Sequence, residues 1–323
     1  MPQTRPASLL DGLYSLFPIP YSLSLPMPNR VGVVPFRWDV RRREQLGRLL
    51  DVPAPPRPPG GGAVPFRELL PEVRDSAARV LARAGDARLV FVGRSPENLF
   101  DYLTGILAHT SWADRCDLLS VSIPWGDVHA VLPRDTVQGL HAHVRALALS
   151  PAEIAASPRP VALVDLVSSG NTFGSLSATL ATWARHEGVD VNAVRRRLRF
   201  VGITRRTKNS PNTWRWFQRA SWAADFPRAA LRGVSVPYWF WTELGNYQDK
   251  TMRSNGAEHW GTDALMHPPR DPEAIEALKT AVRIHERART RDERERFAAA
   301  LTAREEMREP WLRSLVVEIR RGA

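Results

Sequence analysis

Short apolar runs alternate with amphipathic segments between residues 66 and 205. Apolar residues recur every three or four positions in four segments, a spacing that predicts helices at 66–85, 95–110, 134–148 and 172–188. Compact apolar runs precede or follow these segments and predict buried strands at 88–93, 116–123, 161–166 and 198–203. This alternation is typical of an α/β fold with a doubly wound, mainly parallel sheet. Residues 233–241 are a candidate fifth strand.

The regions on either side of this core differ from it in composition. Fourteen of the 27 prolines lie in residues 1–71, so we expect residues 1–65 to form a Pro-rich N-terminal extension. Residues 66–205 form the core, and residues 206–265 form a Trp-rich cap that completes it. Residues 266–323 are a charged helical segment, in which Asp271 suits the N-cap of one long helix.

The cap holds six of the eleven tryptophans, and they allow two interpretations. Large aromatic side chains supply much buried area, so they could pack the cap against the core. They could also form a wall on which a flat ligand such as a nucleobase stacks. The six are Trp214, Trp216, Trp222, Trp239, Trp241 and Trp260.

Composition narrows the class of protein. The chain has 323 residues, of which 43% are hydrophobic and 24% charged, as in ordinary globular proteins. No apolar run approaches the length of about 20 residues that spans a bilayer, and the N-terminus lacks a signal-peptide pattern, so we expect a cytoplasmic protein without a membrane partner. The lone Cys116 cannot form an internal disulfide.

The net charge of +11 raises the question of nucleic-acid binding. Because 42 of the 45 basic residues are arginine and alanine and proline are abundant, the excess resembles the amino-acid usage of a GC-rich genome. We therefore expect no nucleic-acid partner, although the charge would still attract phosphorylated ligands. The chain has neither a P-loop motif nor a Cys/His spacing typical of zinc, and His141 and His143 would face different sides of a helix.

The third predicted strand ends in the sequence VALVDLVSSGNTFGSL, residues 161–176. In an open α/β sheet, ligands bind at the carboxyl ends of the strands, where Asp165 is expected. The following loop, Ser168 to Thr172, enters a helix, so backbone amides, hydroxyls and the positive end of the helix dipole should meet there. A carboxylate next to such a loop suits a sugar that carries a terminal phosphate. The alternative is a strand–helix turn whose small residues only cap the helix.

This stretch resembles the signature loop of the type I phosphoribosyltransferases, as a divergent member. The signature is a buried strand, two acids, two apolar residues, two small hydroxyl residues, Gly, any residue and Thr; Val164 stands where the first acid would be. The resemblance implies that Asp165 is the catalytic residue that contacts the ribose. It assigns the binding of the 5'-phosphate to Ser168, Ser169, Gly170, Asn171 and Thr172.

The order of elements extends the resemblance over roughly residues 86–205. In the family, the first core strand leads into a loop that binds pyrophosphate, and here Gly93, Arg94 and Ser95 take that place, although Arg94 could instead be a surface ion-pair partner. Residues 124–135 correspond to the family's mobile loop. The implied ligands are phosphoribosyl pyrophosphate (PRPP), a base acceptor and the cofactor Mg²⁺, with no protein metal ligand assigned.

The resemblance implies an enzyme, a pentosyltransferase of nucleotide metabolism that transfers the phosphoribosyl group to a nitrogenous base and releases pyrophosphate. A homo-oligomer is compatible with it. A second hypothesis is a non-catalytic regulatory or interaction protein of the same fold that senses PRPP or a nucleotide. Val164 and the two terminal extensions favour this alternative. An enzyme should release pyrophosphate, whereas a sensor should bind without turnover.

Overall fold

Five parallel strands form the centre of the protein. The structure, a computed structural model, describes residues 36–53, 64–207, 215–262 and 267–322. The strands are Arg88–Val92 (β1), Cys116–Leu119 (β2), Val161–Leu166 (β3), Leu198–Arg205 (β4) and Leu231–Val236 (β5). They lie in the order β2-β1-β3-β4-β5, and every neighbouring pair is parallel. The prediction of a doubly wound, mainly parallel α/β sheet is confirmed at this level.

Helices cover both faces of the sheet. They are Arg43–Leu46 (α1), Phe66–Ala84 (α2), Glu97–Leu107 (α3), Val128–Val131 (α4), Arg134–Ala146 (α5), Pro151–Ala156 (α6), Asn171–His186 (α7), Val191–Arg197 (α8), Tyr238–Thr242 (α9), Pro272–Arg289 (α10), Arg291–Thr302 (α11) and Pro310–Arg321 (α12). Side chains of β1 alternate between two cores, because successive residues of a strand point to opposite faces. Leu89 and Phe91 pack with α2, α3 and α10 to α12, whereas Val90 and Val92 pack with α5 to α8.

This arrangement fixes where a ligand can bind. The chain leaves β1 through α3 on one face to reach β2, and it then crosses through α5 and α6 on the other face to reach β3. The connections therefore diverge between β1 and β3. A crevice is expected at such a switch point, outside the carboxyl ends of the strands.

Two predicted elements differ from the structure. The candidate strand at 233–241 is strand β5 only as far as Val236, since Pro237 is followed by helix α9 and then by one π-helical turn, Glu243–Tyr247. The expected single C-terminal helix is three helices. The first break lies at Thr290, whose hydroxyl accepts from the Glu293 amide and so caps α11, and Pro310 begins α12.

The two terminal regions pack against the core. In the part of the N-terminal extension that the structure describes, Arg37 donates to both carboxylate oxygens of buried Asp101 at 2.9 Å. Val40 and Leu46 pack on Ile275 and Leu278 of α10. The rest of the extension, 1–35 and 54–63, lies outside the described residues. Within the described ranges, no helix combines the length and apolarity needed to cross a membrane.

Candidate functional site

A polar cleft lies at the predicted switch point, at the carboxyl ends of β1, β2 and β3. Its volume is about 280 Å³, close to the lower limit for pockets that hold small ligands. Four separate segments of the chain contribute to its walls. The lining residues are Val92, Gly93, Arg94, Ser95, Ser120, Val121, Ser122, Ile123, Asp165, Leu166, Thr172, Gly245, Lys250, Ser254 and Asn255.

Asp165 is the carboxylate of this cleft. It lies at the end of β3, is 8% exposed, and accepts a hydrogen bond from the Leu166 amide at 2.7 Å. Burial raises its pKa to about 7, against the opposing effects of the Leu166 amide and the Thr172 hydroxyl. A carboxyl group with this pKa changes its charge near neutral pH. Strongly shifted carboxyl groups in a cleft are more frequent at functional sites than elsewhere.

The predicted phosphate loop is divided between the cleft and the surface. Thr172 lines the cleft, whereas Ser168, Ser169 and Asn171 are exposed to solvent and lie outside the cleft lining. The loop enters the 16-residue helix α7, whose N-cap is Gly170. The first amides of a helix have no partner within it, so an anion at this end of the cleft would meet free donors.

The backbone conformation at the N-cap of α7 explains why residue 170 is a glycine. Its φ is +84°, and a Cβ atom at this position would lie 2.8 Å from the ring of buried Trp216. The residue is therefore a glycine because of its left-handed conformation and the indole behind it.

The loop after β1 forms a second wall of the cleft. Gly93 has a φ of +73° and its amide donates to the Leu119 carbonyl at 2.9 Å, which ties the loop to β2. Arg94 lines the cleft, and its Nη1 donates to the Met252 carbonyl at 3.4 Å. Ser95 also lines the cleft but does not cap α3, since the N-cap is Pro96 and the helix begins at Glu97.

The third wall is a segment that the sequence did not reveal, residues 248–256. Its Lys250 lines the cleft and donates from Nζ to the Leu244 carbonyl at 2.6 Å. Burial lowers the pKa of Lys250 to about 8, and the nearby positive charge of Arg94 adds to this effect. Lys250 is one of the chain's three lysines. That rarity was the one signal in the sequence that could have drawn attention to it.

Buried hydrogen bonds hold this segment against the loop after β1. The side-chain Nε2 of Gln248 donates to the backbone carbonyls of Arg94 and Ser95, at 3.3 and 3.1 Å. The amide and hydroxyl of Thr251 both donate to the fully buried carboxylate of Glu97. The position of Lys250 in the cleft thus depends on the N-terminal turn of α3.

The described tryptophans of the cap do not line the cleft, and all of them except Trp239, which is 41% exposed, are buried or half-buried. Trp216 and Trp260 are 3% and 5% exposed, and none of the tryptophans that the structure describes borders the cleft. Trp222 lies against Gly174 of α7, where a Cβ atom would be 2.6 Å from its ring. Trp214 lies outside the described residues. These contacts agree with the packing interpretation.

The segment at 124–135, expected to be a mobile loop, is bonded to α7. The Gly126 amide donates to the Ser175 hydroxyl at 2.9 Å, and the Thr182 hydroxyl donates to Asp127 at 2.6 Å. Asp127 also accepts from the amide of His129 and caps the short helix α4. The segment is therefore held against α7, and none of its residues lines the cleft.

A buried core residue, Val164, stands at the position of the missing first acid. Val164 is completely buried and packs in the core beside α2 and α3. Asp165 is consequently the one carboxylate among the described residues that line the cleft, and these residues hold no group of three His, Cys, Asp or Glu side chains suited to a metal ion. Buried Cys116, whose thiol pKa is raised by burial, is part of the core.

Comparisons with known proteins do not identify the chain. No protein-family model, no curated protein and no solved structure matches it. The cleft itself must therefore carry the functional argument.

Proposed function

We propose that the cleft binds PRPP and that the protein is a phosphoribosyltransferase-like enzyme, which transfers the phosphoribosyl group to a nitrogenous base and releases pyrophosphate. One observation carries the proposal. Two loops that are distant in sequence, one with Asp165 and Thr172 and the other with Gly93, Arg94 and Ser95, line the same cleft. These are the loops that the sequence resemblance assigns to the two ends of PRPP.

The charges of the cleft suit the two ends of this ligand. Arg94 and Lys250 lie on the wall formed by the loop after β1 and residues 248–256, where a pyrophosphate group would be bound. Thr172 and the first amides of α7 lie beside Asp165, where a 5'-phosphate would meet the helix dipole. Asp165 between them can accept hydrogen bonds from ribose hydroxyls when it is ionised.

In the proposed reaction a nitrogen of the base attacks C1 of the ribose, and the bond from C1 to the pyrophosphate oxygen breaks. Negative charge grows on the leaving pyrophosphate, and Arg94 and Lys250 would stabilise it. Asp165 would orient the ribose and favour positive charge at the ring, so that most of the rate gain comes from positioning and electrostatics.

The lining of the cleft suits an Mg²⁺ ion that binds together with PRPP. Mg²⁺ keeps several waters and is commonly bound by one or two carboxylates together with substrate phosphates. A cleft with the single carboxylate Asp165 meets this pattern if PRPP oxygens supply the other ligands. When bound, the ion would neutralise charge on the pyrophosphate.

A non-catalytic sensor of PRPP or a nucleotide is the second candidate. Val164 is fixed in the apolar core and cannot supply a second acid, and no aromatic side chain of the described residues borders the cleft to hold an acceptor base. A screen of purine, pyrimidine and pyridine bases with PRPP and Mg²⁺ separates the two. Pyrophosphate release above that of the Asp165→Asn variant supports the enzyme, whereas binding without release supports the sensor.

The first test is calorimetric titration of PRPP with Mg²⁺ into the wild type, Lys250→Gln and Thr172→Val. Lys250→Gln removes a positive charge and Thr172→Val removes a hydroxyl donor, so we expect each to raise Kd by about tenfold or more. The control is Lys279→Gln, which makes the same chemical change on α10, outside the cleft. Equal affinities in all four proteins, or no heat at millimolar PRPP, would remove the proposal.

The affinity for PRPP should be greatest between about pH 7 and pH 8. Below pH 7 the carboxylate of Asp165, whose pKa is raised to about 7 by burial, takes up a proton and loses its charge. Above pH 8 Lys250, whose pKa is lowered to about 8 by burial, loses its proton. Because PRPP itself titrates, the profile is compared with those of Asp165→Asn, which should lack the acidic change, and Lys250→Gln, which should lack the alkaline one. If the pH profiles of the wild type and both variants coincide, neither Asp165 nor Lys250 takes part in ligand binding.

A further inference from the structure

A second pocket lies outside β5, an edge strand of the described sheet, and shares no lining residue with the cleft. Its volume is about 200 Å³. Helix α2, the residue after β4, strand β5 and the segment after α11 contribute to it. The lining residues are Arg79, Ala82, Arg83, Arg206, Gly233, Val234, Ser235, Arg304 and Glu306. Four guanidinium groups from three parts of the chain therefore border one small space.

Carboxylates nearby neutralise these charges in part. Asp75 is shared between Arg79, at 2.6 Å, and Arg304. Arg83 pairs with Glu305 and Glu306, at 3.2 and 3.3 Å.

The fourth arginine of the pocket, Arg206, makes no ion pair with any described residue and is exposed. Four guanidinium groups and three paired carboxylates, Asp75, Glu305 and Glu306, leave a net charge of +1 in this group of side chains.

Arg79 shows the consequence of this arrangement. Its Nη1 donates to the Ser235 carbonyl, which holds the side chain along the edge of β5. Burial lowers its pKa, and the positive charges of Arg304 and Arg206 lower it further, against the opposing effects of Asp75 and Glu72. The guanidinium groups thus lie close enough to repel one another. An anion between them would replace this repulsion by attraction.

We propose that this pocket binds a phosphoryl dianion. Guanidinium groups present paired N–H donors that match phosphate oxygens, and a tetrahedral dianion can accept from several of them at once. The pocket has room for one phosphoryl group, and Glu306 in its lining disfavours a larger polyanion. The ligand is free inorganic phosphate or the phosphate of a 5'-nucleotide. The proposal does not depend on PRPP binding in the cleft.

The test is titration of inorganic phosphate, and separately of AMP, in chloride buffer of constant ionic strength without Mg²⁺. All proteins carry Lys250→Gln to weaken anion binding in the cleft. Arg206→Gln is compared with Arg205→Gln, a matched control, because Arg205 is the neighbouring exposed arginine and does not line the pocket. Both side chains are exposed, so neither change should disturb folding.

We expect Arg206→Gln to raise Kd by about tenfold and Arg205→Gln to change it less than about twofold. Tighter binding of AMP than of phosphate would identify a nucleotide as the source, and equal or weaker binding would identify free phosphate. The proposal is overturned if neither ligand binds, or if the two arginine variants bind equally. Because Arg206 does not line the cleft, a difference between the two arginine variants reports on this pocket whether or not PRPP binds in the cleft.

Discussion

Replacing Asp165 by asparagine should raise the free energy of unfolding by about 4 kcal/mol at pH 8, because a shift of one pKa unit corresponds to ~1.4 kcal/mol. The carboxyl group has a pKa of about 7 in the folded protein, raised by burial, whereas an unfolded chain would show a value near 3.9. Asparagine keeps an oxygen for the Leu166 amide and carries no charge.

The gain in stability should depend on pH in a definite direction. Between about pH 4 and pH 7 the folded state keeps a proton on Asp165 that the unfolded state has released, so the wild type loses stability as pH rises. The asparagine variant lacks this loss. The difference in unfolding free energy should therefore be small near pH 4.5 and reach its full size above pH 7, as measured by urea unfolding monitored through tryptophan fluorescence.

The same substitution should weaken PRPP binding by about tenfold or more, since a charge-assisted hydrogen bond to the ribose is lost. Gain of stability with loss of binding is the mark of a charge retained for a ligand rather than for the fold. Asp135→Asn, at an exposed carboxylate in the first turn of α5, is the control and should change neither quantity. A destabilised Asp165→Asn protein would show instead that Asp165 is a structural cap.

The sequence predicted the core of the fold because each element carries its own local signal. Strand β3 is a run of apolar residues that ends at Asp165, and its helix follows directly, so the position of this acid at the edge of the sheet required no knowledge of distant contacts. The loop after β1 was placed by the same logic. Both expectations concern residues close in sequence to a strand end.

The wall that carries Lys250 could not be predicted in this way. Residues 248–256 have no regular periodicity, and their position depends on hydrogen bonds from Gln248 and Thr251 to residues more than 150 positions earlier in the chain. Such pairings leave no pattern within a short window of sequence. The short helices α4, α6 and α8 were missed for a related reason, since four to seven residues are too few to show a helical period.

The role of the tryptophan-rich segment was open for a third reason. Composition indicates that large aromatic side chains will be buried, but it does not say against what. In the structure, the indole of Trp216 lies against three glycines that come from separate elements: Gly170, Gly202 and Gly233. Trp216 fits here because these three glycines carry no side chains, and the fit arises only in the folded protein. Replacing one glycine by alanine adds a single methyl group and tests the fit.

Gly202→Ala should lower the free energy of unfolding by about 3 kcal/mol, through overpacking and strain on a buried hydrogen bond. Gly202 lies in β4 beside Asp165 of β3, and a Cβ atom there would be 2.6 Å from Nε1 of Trp216. That Nε1 donates to the Arg232 carbonyl at 2.9 Å, so the indole cannot move away without weakening this bond. Urea unfolding of the purified variant measures the loss.

Gly233→Ala is a closely matched control, because Gly233 pairs with Gly202 in the neighbouring strand and its Cβ would meet the same indole at an ordinary 3.7 Å. It should change stability by less than about 0.5 kcal/mol. In a Trp216→Phe background, where the clashing nitrogen is absent, Gly202→Ala should cost much less, which gives a coupling energy of about 2 kcal/mol. Equal costs for the two alanines, or strict additivity with Trp216→Phe, would contradict the close approach of Trp216 to β4. A large coupling would place the indole of Trp216 directly against β4 and the loop that leads from Asp165 into α7.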